Sequence, residues 1–266
     1  MAGKDFLWLH LRDLPYFRAM LRAAEARVYQ DYELPAPTLD VGCGDGHFAS
    51  LAFERRLEVG LDPWTGPLRE ARQRGGYCRL VQADGGRMPF PDGFFNSALS
   101  NSVLEHIPHV EAVLQETARV LKPGAPFLFC VPNPRYFSAL SVSGGLERAG
   151  LSGLGRAYRE WFRKISRVHH ADEPPLWQGR LERAGFTLER WWHYFSPQAM
   201  RILEWGHYFG APALLTRTLT GRWILFPERW NPGLRLVERM VRPHASPEPH
   251  PEGTFTFYVA RRRPHG

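Results

Sequence analysis

The sequence predicts an α/β fold: a doubly wound, mostly parallel seven-stranded sheet with helices on both faces, plus helical insertions forming a cap. Three observations predict it. Between positions 38 and 131, short strand-like apolar runs alternate with helical segments of about 10–15 residues. A turn with glycines at alternate positions joins the first run to the helix that follows it. Aspartates close the second and third runs, at the carboxyl ends where open α/β sheets hold their ligands.

The elements follow in order. Leu14, Phe17, Leu21, Ala24 and Val28 recur at helical spacing and predict a helix or helix pair over 11–32, stopped by Pro35 and Pro37. The first strand reads as 38–41 and its helix as 48–56. The second strand reads as 57–61 and its helix as 68–74. The third and fourth strands read as 77–82 and 94–100, and 110–121 reads as a helix. Lys122-Pro123-Gly124 stops that helix before a fifth strand at 126–131. Residues 134–180 are rich in Gly, Arg and aromatics and show no clear strand. A helix at 176–184 then leads through Gly185 to a sixth strand at 187–194. Residues 196–245 read as helical, and 254–261 alternates like a final strand. The predicted organisation is an N-terminal helical extension (1–36), an α/β core (37–133, 176–195 and 254–263), and two insertions (134–175 and 196–253) forming a substrate cap.

Composition narrows the class. The formal net charge is +7, and only Lys4, Lys122 and Lys164 among 34 basic residues are lysines. The excess is therefore arginine, whose planar fork suits phosphates and carboxylates, although a solvated basic surface explains it equally. Cys43, Cys78 and Cys130 form no pair at metal-binding or redox spacing, which reads as reduced thiols in a cytoplasmic protein. His10, Arg12 and Asp13 interrupt the apolar stretch 6–14, so it does not read as a secretory leader. No run of about 18 apolar residues is present to span a membrane.

The sharpest signal is Leu39-Asp40-Val41-Gly42-Cys43-Gly44-Asp45-Gly46-His47. Glycine is needed where φ is positive or where a ligand lies against bare backbone. A dinucleotide loop, G-x-G-x-x-G/A, would need a small residue at position 47, which is His47, and no Gly-Lys-Ser/Thr follows for a Walker-type loop. A ligand lying flat over the turn fits better than a cradled pyrophosphate. Asp62, 20 residues beyond Gly42, is placed to accept from both hydroxyls of a ribose, or alternatively to cap the next helix ahead of Pro63. Asp84, followed by Gly85, sits at the corresponding end of the third strand.

Taken together these motifs resemble the class I S-adenosylmethionine-dependent methyltransferases, of the type 11 kind. The glycine turn resembles that family's first motif, and Gly60-Leu61-Asp62 its second. Gln82-Ala83-Asp84 with Met88-Pro89-Phe90-Pro91-Asp92 is similar to its adenine-contacting stretch. Asn101-Ser102-Val103-Leu104-Glu105-His106 is similar to its segment after the fourth strand. Leu121-Lys122-Pro123-Gly124 and Leu181 to Phe186 resemble its later junctions. The resemblance implies S-adenosyl-L-methionine as cofactor and S-adenosyl-L-homocysteine as product. It implies Gly42, Cys43, Gly44 and Gly46 beneath the methionine part, with Asp40 near its ammonium group. It further implies Asp62 and Pro63 at the ribose, Asp84, Gly85 and Met88 at the adenine, and Asn101 and Ser102 near the sulfonium. One departure is Phe95-Asn96, where the family commonly has an aspartate after the aromatic.

A sulfonium carries its own activation, so positioning and water exclusion do most of the work and no metal is expected. A base helps when the acceptor is a hydroxyl. His106 follows the fourth strand and is the first candidate, with packing or loop-fixing as the alternative. His169, beside His170, Asp172 and Glu173, is the second, for substrate contact, loop structure or metal binding, although adjacent rings do not easily chelate one ion. Tyr136, after the fifth strand, lines an acceptor pocket or packs in the core. The 196–245 segment mixes Trp205, Tyr208, Phe209, Trp223, Phe226 and Trp230 with seven arginines, Arg229 among them. It reads as a packed helical cap, an apolar acceptor pocket or a surface for peripheral membrane contact. The expected reaction is O-methylation of a small-molecule, lipid-linked or glycan-linked acceptor. The alternatives are a tRNA or rRNA methyltransferase, for which no nucleic-acid signature is found, and a non-catalytic cofactor-binding scaffold. The subunit count is not written in the sequence.

Overall fold

The computed structural model describes residues 4–209, 211–226, 228 and 231–264; Arg229 and Trp230 lie outside them. In chain order the elements are α1 (Phe6–Leu11), α2 (Tyr16–Tyr29), β1 (Thr38–Val41), α3 (His47–Ala52), β2 (Leu57–Asp62), α4 (Thr65–Arg74), β3 (Tyr77–Gln82), β4 (Ser97–Asn101), a 3-10 turn (Leu104–His106), α5 (Val110–Val120) and β5 (Pro126–Pro132). Then follow α6 (Arg135–Ser138), α7 (Ser141–Arg148), α8 (Ser152–Ser166), α9 (Pro174–Ala184), β6 (Phe186–Tyr194), α10 (Pro197–Phe209), α11 (Ala211–Thr220), α12 (Pro232–Val241) and β7 (Phe255–Arg262).

Seven strands form one sheet in the order β3-β2-β1-β4-β5-β7-β6. The pairs β1 with β2, β1 with β4, β2 with β3 and β4 with β5 are parallel, and β7 runs antiparallel to β5. The order reverses beside β1, which makes its carboxyl end the topological switch point. One face of the sheet is sealed by apolar side chains of α5 and α9, including Val113, Leu114, Trp177 and Leu181, all at most 2% exposed. Aromatic pairs run across the strands: Phe129 stacks on Tyr258 with centroids 4.7 Å apart, and Phe127 meets Phe186 at 5.4 Å. Such pairs add about 0.5–1.5 kcal/mol each beyond burial.

The chain divides into two compact units. One holds the sheet: Tyr32–Pro134, Ser166–Trp192 and the chain from Phe255 on. The other is helical and gathers the chain up to Asp31 with Arg135–Ile165 and His193–Thr254. Within the helical unit α10 packs on α2 at Gly206, where a β-carbon would lie 2.3 Å from that of Phe17. The ring of His207 sits 4.7 Å from Phe17, and burial pushes its pKa down. The buried carboxylate of Glu204 accepts from the backbone of Ser141 (2.6 Å) and Val142 (3.2 Å), the hydroxyl of Ser141 (2.6 Å) and the hydroxyl of Tyr158 (2.7 Å).

Several expectations are corrected. The helix or helix pair predicted over 11–32 is a pair, but the first helix begins earlier, at Phe6, because Asp5 caps it, accepting from the Trp8 amide at 3.2 Å. The helix expected over 48–56 ends at Ala52, since Phe53 is extended. The fourth strand begins at Ser97 rather than Phe94, and Phe95 only bridges Leu121. The insertion, expected to be helical and without a clear strand, folds as α6, α7 and α8. One of its glycines serves packing: a β-carbon on Gly155 would lie 2.9 Å from Cγ of Glu147.

Candidate cofactor and active site

At the end of β1 the backbone is pinned before it turns. The amides of Gly42 and Cys43 both donate to the carbonyl of Leu61, at 2.8 and 2.9 Å. Gly42, Gly44 and Gly46 all take positive φ (80°, 55° and 70°), the left-handed region that glycine enters without strain. Their surroundings differ. A β-carbon on Gly42 would run into Val103 at 2.3 Å, and one on Gly46 into Ala71 at 2.9 Å. A β-carbon on Gly44 would meet nothing within 4 Å. Gly42 and Gly46 are therefore small for packing, whereas Gly44 presents bare backbone to open space.

Asp62, the last residue of β2, is buried and faces that loop. Its Oδ2 accepts the Gly44 amide at 3.0 Å and its Oδ1 the Trp64 amide at 2.9 Å. Each oxygen keeps a second lone-pair site. Burial raises its carboxyl above the ordinary value, opposed by the two amides. Pro63 is exposed, and its carbonyl accepts from Gln82 Nε2 at 3.2 Å. Trp64 is 70% exposed, a bare indole beside the carboxylate that sequence reasoning missed. Asp40 is buried, and its Oδ2 accepts the Tyr77 hydroxyl at 2.6 Å. Gly60 makes room for that tyrosine, because a β-carbon there would sit 3.0 Å from the ring. Burial, then the charges of Asp40 and Asp62, push the Cys43 thiol far up.

Asp84 is exposed beyond β3, with Oδ1 accepting the Gly86 amide at 2.7 Å. Gly85 abuts Val113 of α5, where a β-carbon would come within 3.2 Å. Met88 is buried in the apolar core, and its amide donates to Glu116 at 2.7 Å. A second residue missed from the sequence organises this loop. Arg119 of α5 donates to the carbonyls of Met88 (3.0 Å) and Phe90 (2.8 Å), and to Glu116 (2.7 Å) and Asp92 (2.6 Å).

Asn101 closes β4; its Oδ1 lies 3.3 Å from the sulfur of Cys130. Ser102 has φ 51°, rare for a non-glycine residue, and its amide donates to the Cys130 carbonyl at 3.2 Å. The sharp turn delivers the 3-10 segment with His106. That ring is exposed, with Nδ1 2.9 Å from the Arg167 carbonyl and Nε2 3.8 Å from Glu105. His169 is brought onto the same loop, its amide donating to the Glu105 carbonyl at 2.7 Å. The neighbouring His170 places Nε2 3.0 Å from the Ile107 carbonyl and Nδ1 3.3 Å from Arg180. Tyr136 belongs to the helical unit, where its buried ring packs on Phe137 and Phe162. Asn96, at the position of the sequence departure, is structural: its amide donates to the Pro37 carbonyl at 2.9 Å. Among the described residues no three His, Cys, Asp or Glu side chains gather as metal ligands would.

Residues 39–129 match the methyltransferase domain family. An uncharacterized methyltransferase of Mycolicibacterium gilvum is 37% identical over 208 residues, 76% of this chain and 73% of that one. A fatty-acid O-methyltransferase of Mycolicibacterium smegmatis is 37% identical over 103 residues, 37% of this chain and 38% of that one. The chain spans well under half the length of the first curated relatives it matches. Among solved structures, an S-adenosylmethionine-dependent methyltransferase of Thermotoga maritima superposes with a TM-score of 0.57 at 16% identity, covering 93% of this chain and 91% of that one. That last likeness is one of fold.

Proposed function

The chain belongs to the class I S-adenosylmethionine-dependent methyltransferases, and from that premise we propose that it methylates an oxygen of a small-molecule or lipid-linked acceptor. The observation that carries the reading is the open backbone of Gly44 hydrogen-bonded to the buried carboxylate of Asp62.

The residues fit the cofactor. The space at Gly44 that a β-carbon would fill accommodates the methionine part against backbone, and Asp62 keeps lone pairs for the two ribose hydroxyls. Trp64 offers an apolar face, and Asp84 an acceptor for an adenine amino group. S-adenosylmethionine, when bound, supplies an already activated methyl group. The chain then has to hold the acceptor in line and keep water away, which in favourable systems is worth about 7–11 kcal/mol.

A hydroxyl acceptor must lose a proton, and His106 is the residue assigned to take it. The Arg167 carbonyl at Nδ1 selects the tautomer protonated there, which leaves Nε2 as the basic nitrogen. A carboxylate acceptor has no proton to lose and makes no use of His106. The likeness to a fatty-acid O-methyltransferase makes fatty acids the first acceptors to assay.

The test is calorimetric titration with S-adenosylhomocysteine, followed by label transfer from methyl-labelled S-adenosylmethionine to fatty acids and to hydroxylated lipids. Binding and a labelled ester or ether support the proposal. No binding by folded protein overturns it, and binding without transfer to any acceptor favours the scaffold reading.

A further inference from the structure

We propose that the helical unit carries a docking surface for an anionic lipid bilayer, formed by the outward sides of α10, α11 and α12. Two kinds of side chain are exposed on these helices. Leu215 and Leu219 stand one turn apart on α11, 64% and 74% exposed, and Leu236 and Met240 do the same on α12, at 61% and 64%. Phe209 on α10 is 69% exposed. Helices of an ordinary solvated surface do not carry paired large apolar residues one turn apart on their outer side. Between α10 and α12 lies an apolar groove of about 410 Å³, lined by Tyr16, Ile202, Trp205, Phe209 and Met240 together with one cation, Arg201.

The charges around these residues are predominantly positive, with Glu228 an exposed carboxylate among them. Residues 205–227 contain no aspartate or glutamate. Glu204 is consumed inside the unit by Ser141, Val142 and Tyr158, and Glu238 is paired with Arg242. Arg201, Arg222, Arg235 and Arg239 form no ion pair with a described residue. On α12, Arg235 and Arg239 alternate with Leu236 and Met240, so cations and apolar side chains leave the helix on the same exposed side.

This combination selects the partner. A nucleic acid would neutralise the arginines and leave four leucine and methionine side chains in water. A second copy of the chain in a twofold contact would set the same unpaired arginines against each other. A bilayer rich in anionic lipid satisfies both, taking the apolar side chains at the acyl boundary and the guanidinium groups at its phosphates. Contact is peripheral, because no described helix is long and apolar enough to cross a membrane.

The experiment is flotation of the whole protein with vesicles of phosphatidylglycerol and phosphatidylcholine, against vesicles of phosphatidylcholine alone, at low and high salt. The intact protein is expected to float with the anionic vesicles, less so in salt. L219E/M240E should weaken partitioning more than about tenfold, and R235Q/R239Q about fivefold for each arginine. Both variants alter exposed side chains, so circular dichroism and S-adenosylhomocysteine binding should stay unchanged. Flotation that is absent, equal on both vesicle types, or untouched by L219E/M240E overturns the proposal. So does a dimer in solution that L219E/M240E takes apart without any flotation.

Discussion

The carboxylate of Asp62 accepts the backbone N–H of Gly44 at 3.0 Å, joining the end of β2 to the turn that follows β1. The bond aligns a charged acceptor with a stretch of backbone that carries no side chain, and the glycines around it separate into two kinds. Gly42→Ala should cost stability, because its β-carbon overlaps Val103 at 2.3 Å and the residue stays left-handed. Overpacking and φ together predict about 2–4 kcal/mol. Gly44→Ala should cost only about 1–2 kcal/mol, yet weaken S-adenosylhomocysteine binding about tenfold or more, as its methyl fills the ligand's space. Urea denaturation and calorimetry on the two variants separate the effects.

Binding should depend on pH through Asp62. Burial raises its folded-state carboxyl above 3.8, so its contribution to stability is present at low pH and lost as pH rises through the raised value. Ribose recognition needs the ionised form and runs the other way. S-adenosylhomocysteine affinity should therefore fall on acidification, at a higher pH than an ordinary aspartate would set. Asp62→Asn should bind weakly and lack this pH step, which calorimetry on both proteins from neutral to mildly acidic pH will read.

Arg119 acts as a positioning residue. It holds the carbonyls of Met88 and Phe90 with Asp92 and Glu116, and Glu116 is pushed below the usual carboxylate range chiefly by its bond to Arg119. Arg119→Lys keeps the charge but loses the fork. It should raise KM for S-adenosylmethionine several-fold while leaving kcat nearly intact, a split that a general loss of folding would not produce.

His106→Ala should lower kcat by about 10²–10⁴-fold for a hydroxyl acceptor and leave a carboxylate acceptor almost unaffected. Parallel rates with one fatty acid and one fatty alcohol measure the difference.

In the helical unit, Glu204→Ala strands half-buried donors of Ser141, Val142 and Tyr158. A loss of about 3 kcal/mol or more is expected, read as a lower denaturation midpoint. Glu204→Gln, which keeps one acceptor oxygen, should lose less.

How far the sequence could be read follows the range of the interactions. Strands such as Thr38–Val41 and Tyr77–Gln82 were legible to the residue, because short apolar runs between breakers carry their own boundaries. The position of Asp62 at the end of β2 and the glycine turn after β1 were legible because they rest on local spacing. The bond between Gly44 and Asp62, the clamp of Arg119 on Met88 and Phe90, and the exposure of Trp64 were not, since each depends on which segments meet. The 134–175 insertion was legible as helical but not in its boundaries. Gly144, Gly145, Gly153 and Gly155 weaken the helical signal, and tertiary packing overrides that low propensity.

The most direct test is a crystal structure of the protein with S-adenosylhomocysteine. The ribose hydroxyls are expected on the two oxygens of Asp62 and the homocysteine chain against Gly44, with Asn101 and Ser102 nearest the sulfur. An adenosyl group seated elsewhere, with Asp62 bonded only to the amides of Gly44 and Trp64, would contradict that placement.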